Sequence, residues 1–136
     1  MKKILTGFLA AIVLAGLLST GCALWSGKDD SRPPLSMFTD IPLPPELIID
    51  EKNSQVYEHS IGRVGLMKTS GNLGKEAVLA YFREVMVQNG WTKDSEFDNG
   101  EKHMLVFSKS PRSAAITVDE GWISTDVEIN VSAKKQ

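Results

Sequence analysis

The sequence predicts an α+β fold: an antiparallel sheet of about five to six strands with one amphipathic helix on one face, in the order ββαββββ. Three observations carry this reading. Apolar residues recur at spacings of three and four between Gly74 and Asn89. Apolar and polar residues alternate from Ile123 to Ala133. Turn signals separate the runs around them at short intervals, so neighbouring strands pair antiparallel.

The elements follow in chain order. Val56 to Ile61 and Arg63 to Thr69 are the first two strand candidates. The helix spans Gly74 to Asn89, with Val78, Leu79, Phe82, Val85 and Met86 on one face and Glu76, Arg83, Glu84 and Gln88 away from it. Asn72 is placed to cap its start, and Gly90 follows its last turn, where a positive φ is easy. Trp91 to Phe97 is a weaker strand. Asp98-Asn99-Gly100 is a hairpin signal, because Asn-Gly accepts positive φ at low cost. His103 to Lys109 follows, then the alternating run around Ala114, Ile116 and Val118. The last strand, from Ile123 to Ala133, has one apolar and one polar face. One helix covers one face of such a sheet, so the other is solvated or a docking surface.

Composition narrows the function classes. The chain has 136 residues, with 15 Lys+Arg against 17 Asp+Glu, so a strongly basic nucleic-acid binder is not the default reading. A single Cys leaves no intramolecular disulfide and no multi-Cys metal site. The apolar residues are unevenly placed. After Met1-Lys2-Lys3, the stretch from Ile4 to Leu18 is apolar except for Thr6 and isolated glycines, and it carries no charge. It is slightly short for a spanning helix of about 20 residues and fits the apolar core of a secretory signal. Leu18-Ser19-Thr20-Gly21-Cys22 then sets small residues before the sole Cys.

This segment resembles the lipobox signal of bacterial lipoproteins. The resemblance covers about the first sixth of the chain. It implies cleavage between Gly21 and Cys22 and a diacylglycerol on the Cys22 thiol, with Ser19 standing where the family prefers Leu. Loss of Lys2 and Lys3 with the signal takes the formal net charge from −2 to −4. Ala23 and Leu24 follow the Cys where Asp marks inner-membrane retention. That resembles sorting to the outer membrane, with the periplasmic side of the inner membrane as the alternative. The helix end Met86-Val87-Gln88-Asn89-Gly90-Trp91 is similar to a helix-to-strand junction of small bacterial lipoproteins and implies no activity.

The expected organisation is a signal peptide over 1–21, a lipidated Cys and Pro-containing tether over 22–45, and a small α+β domain over 46–136. Pro33-Pro34 and Ile41-Pro42-Leu43-Pro44-Pro45 favour extended backbone. Met37, Phe38, Ile41 and Leu43 are expected to rest on the domain at the end of that tether.

Catalytic chemistry finds little support. The glycines of Gly62-Arg63-Val64-Gly65 and Gly71-Asn72-Leu73-Gly74 have the wrong spacing for a phosphate cradle. The two histidines, His59 and His103, lie in strand patterns and are expected to be exposed rather than a metal pair. Asp94, Glu96 and Asp98 fall at period two on one predicted strand face with Thr92. They depart from a calcium loop, because Gly100 falls one residue late and Leu105 stands where Glu is needed. The plainer reading is an acidic edge strand. Trp91 is expected in the core. Trp122 follows the Asp119-Glu120-Gly121 turn; half-burial at a strand start is its plainer outcome, and an exposed Trp is an interaction anchor. Trp25, near the lipid site, suits a membrane interface. Trp122 and Trp25 are the candidate interaction residues. The expected function is a non-catalytic envelope lipoprotein, without cofactor or metal, held on a membrane through Cys22 and presenting its domain to a protein or envelope partner. A small-ligand or cation-binding module is the alternative.

Overall fold

A computed structural model describes residues 36–134. The expected signal segment and Gly21, Cys22 and Trp25 lie outside the described residues.

The described chain is α+β, with a seven-stranded antiparallel sheet and one α-helix. The strands are β1 (Leu47–Ile49), β2 (Gln55–His59), β3 (Gly62–Gly71), β4 (Thr92–Asp98), β5 (Lys102–Lys109), β6 (Arg112–Glu120) and β7 (Thr125–Ala133). Helix α1 (Lys75–Gln88) joins β3 to β4. The sheet runs β1-β3-β7-β6-β5-β4, and β2 also pairs with β3.

The sheet is therefore larger than expected, and the order is βββαββββ. The additional strand is β1, which pairs Leu47–Ile49 with Gly71–Thr69. Three residues, set one position beyond Pro44-Pro45, are too few to carry an alternation signal. β1 and β2 share one edge of β3 and form one interrupted strand. The 3₁₀ turn Glu51–Asn53 separates them, started by Asp50, whose side chain accepts from the Asn53 N–H. Ser54 bridges the gap, because its hydroxyl accepts from the Lys68 N–H at 2.9 Å and donates to the Asp50 carbonyl at 2.6 Å. The backbones approach closely here. A Cβ on Gly65, whose φ is +137°, would lie 2.1 Å from the Gln55 carbonyl oxygen.

The inner face carries the core. Met67, Leu105, Phe107, Ala114, Ile116, Val118, Val127, Ile129 and Val131 are all buried there. α1 covers the β4–β6 half with Val78, Leu79, Phe82 and Met86, as its spacing predicts. The helix does not cover the face alone. Phe38, Ile41 and Leu43, from the end of the Pro-containing segment, are each at most 1% exposed and belong to the same core. Burying each such side chain contributes about 1.5–3 kcal/mol, enough to hold this irregular segment against the sheet.

Two local expectations fail. Asn72 does not cap α1; Gly74 is the N-cap, with no side-chain hydrogen bond. β7 begins at Thr125, so Ile123 lies in the β6–β7 hairpin loop and is 91% exposed. The alternation continues through Ile123 by chance of composition, but the loop from Gly121 to Ser124, closed by a Gly121 N–H to Ser124 carbonyl bond of 2.9 Å, takes it off the sheet.

Candidate functional site

The β6–β7 hairpin ends in Trp122 and Ile123, and Trp122 is fully exposed. The half-buried outcome for Trp122 does not hold, because the four-residue loop lifts it beyond the last ladder pair, Glu120–Thr125. A Trp left wholly in water retains its large apolar surface for a contact elsewhere. The loop Gly71-Asn72-Leu73-Gly74 at the start of α1 lies beside the hairpin. Together they line an open depression of about 150 Å³.

The base of the hairpin is acidic. Asp119 and Asp126 are register partners on β6 and β7, so two carboxylates of like charge stand directly opposite. Such pairing is unfavourable by a few tenths of a kcal/mol to about 1 kcal/mol. Lys102 lies 3.9 Å from Asp119 and offsets part of it. Among the described residues, no ion pair includes Glu120, Asp126 or Glu101.

Two further polar clusters hold the fold. At the opposite end of the sheet, Asp40 accepts from Lys109 Nζ at 2.9 Å and from Arg112. The Trp91 indole N–H donates to the Asp40 carbonyl at 3.0 Å, and the Arg112 guanidinium lies 5.1 Å from the Trp91 ring centroid. Burial pushes the Asp40 carboxyl up, but the hydrogen bonds from Lys109 and Arg112 outweigh it and hold the group below the usual carboxylate range. Trp91 is buried as expected. The cluster has no local sequence signal, because its members lie 51 to 72 positions from Asp40.

The second cluster contains the acidic strand. Asp94, Glu96 and Asp98 do not share a face. The β4–β5 register shifts between Lys93 and Ser95, so the bulged Asp94 accepts from the Ser108 hydroxyl at 2.9 Å on the outer face. Glu96 and Asp98 pair with Leu105 and His103 and turn to the inner side. There Glu96 accepts from Arg83 of α1, from Lys93 and from His103. Arg83 foremost, then Lys93, hold the Glu96 carboxyl far below the usual range. Asp98 is also lowered, first by the Gly100 N–H and then by Lys75 and His103.

His103 is buried rather than exposed, because odd positions of β5 face the core. His59 is exposed on β2. β3, β7 and β6 lie between their strands, so at about 4.8 Å per strand β2 and β5 are roughly 19 Å apart, and the two histidines form no metal pair.

Comparison with known proteins finds no family model, curated protein or solved structure that matches this chain.

Proposed function

We propose that this chain is a non-catalytic envelope lipoprotein, held by an acylated Cys22 on the periplasmic side of the outer membrane and presenting its α+β domain to a protein partner. The pattern from Met1 to Cys22 carries the anchoring half of this reading: a basic start, an uncharged apolar run, small residues and the chain's sole Cys. One acyl chain binds a bilayer marginally and two or more bind it stably, so full acylation makes Cys22 an anchor.

The fully exposed Trp122, beside Ile123, supports the presenting half. The acidic strand and His103 are engaged in structural contacts with α1 and β5, which favours a binding surface over a reacting centre.

Fatty-acid labelling in a bacterial host tests the anchor. The wild type incorporates label and runs as a processed form. Cys22→Ser loses the label and accumulates precursor; normal labelling of that variant overturns the reading.

A further inference from the structure

We infer that the Trp122–Ile123 hairpin tip docks into an apolar pocket of a partner protein whose rim carries Lys or Arg side chains. This inference rests on the proposed function and names the chemistry of its partner.

The apolar part of the contact is Trp122 and Ile123, at 106% and 91% exposure. Both residues lie in the loop beyond the last ladder pair, Glu120–Thr125. A protruding Trp–Ile pair fits a concave apolar site, where its burial supplies the central part of a contact.

The rim chemistry follows from the carboxylates below the tip. Asp119 and Asp126 face each other across the ladder, and Glu120 sits two residues before Trp122. Lys102 offsets only Asp119. A cation brought to this base relieves the repulsion between Asp119 and Asp126 while the tip is buried. Charges at the rim of a contact act on encounter rate and on partner choice.

A lipid surface is the less suitable occupant. Anionic headgroups are repelled by the same carboxylates. The tip also points away from the end where the N-terminal segment is clasped. Asp40 is bound at Arg112, and Arg112 to Glu120 spans β6, roughly 26 Å at about 3.3 Å per residue.

The test uses the full lipidated chain in intact envelopes, with a photoreactive benzophenone amino acid replacing Trp122. The expected result is a crosslink to a protein of different sequence, on a peptide with Lys or Arg near the attachment point. Its yield should fall roughly tenfold in Glu120→Gln/Asp126→Asn, and similarly on raising salt from about 0.05 M to about 0.5 M. The thermal melt of the double variant should be no lower than wild type, because it removes like-charge repulsion. The salt arm needs no variant. A protein crosslink indifferent to both charge removal and salt overturns the cationic rim and leaves the docking role standing. A crosslink to lipid or to a second copy of this chain, or none at all, overturns the docking role and this inference with it.

Discussion

Asp40 and Arg112, 72 positions apart in the chain, form a hydrogen-bonded ion pair against the indole of Trp91. Lys109 completes the group and also donates to the Asn89 carbonyl at 2.9 Å. The pair fixes the N-terminal segment to the end of the sheet where β5 turns into β6. It is the polar counterpart of the burial of Phe38, Ile41 and Leu43.

Removing that carboxylate leaves two cations without their partner. Asp40→Ala should lower stability by about 2–4 kcal/mol, because Arg112 is only 10% exposed and cannot recover full hydration. Urea unfolding followed by Trp fluorescence checks this. The double variant Asp40→Leu/Arg112→Met should lose less than the sum of the two single variants, since each single change strands the other charge. Additive losses would show that the pair is not coupled.

Acid should weaken the fold through the same chemistry. Asp40 and Glu96 both have folded pKa values below their unfolded ones. Their stabilising contribution is complete above the unfolded carboxylate pKa of about 4 and is lost as pH falls from there toward the lower folded values. The urea midpoint should be lower at pH 3 than at pH 7. Glu96→Gln should lower the midpoint at pH 7 and shrink the difference between the two pH values.

The interrupted edge strand makes a steric prediction. Gly65→Ala sets a methyl group 2.1 Å from the Gln55 carbonyl oxygen at a φ that L residues rarely adopt. It should destabilise by at least about 1 kcal/mol. Gly100→Ala is the control, since a Cβ there meets nothing within 4 Å although its φ is also positive. Loss at Gly65 should therefore exceed loss at Gly100 in parallel thermal melts.

The hairpin tip should be silent in stability. Trp122→Ala should change the unfolding free energy by no more than about 0.5 kcal/mol, as expected for a side chain with no contacts to lose. A loss of several times that amount would mean that Trp122 packs on the domain in solution.

The strongly periodic elements were legible in the sequence. The helix expected over Gly74 to Asn89 forms over Lys75–Gln88, and four of its five stripe residues are fully buried. Strands long enough to alternate, β5 and β6, also fall where their patterns place them, and β7 does so from Thr125 onward. What escaped was short or distant. β1 has three residues. The bulge at Asp94 changes which face every later residue of β4 occupies, and a single inserted residue leaves no mark on composition. Ile123 continues a period of two into a loop. Asp40 finds its partners through the tertiary fold alone. Trp122 was legible as a candidate for contact, while its full exposure depended on where the hairpin loop begins.

The placement of the Asp40 clasp and the Trp122 tip at opposite ends of the sheet also has a mechanical meaning. In a chain tied to a bilayer through Cys22 and gripped at the hairpin, as proposed, tension enters near Arg112 and leaves near Glu120. The pull then lies along the strands. β6 runs as unbroken backbone between those two points, so covalent bonds bear the load along it, and the Asp40–Arg112 contact is the non-covalent link on that path.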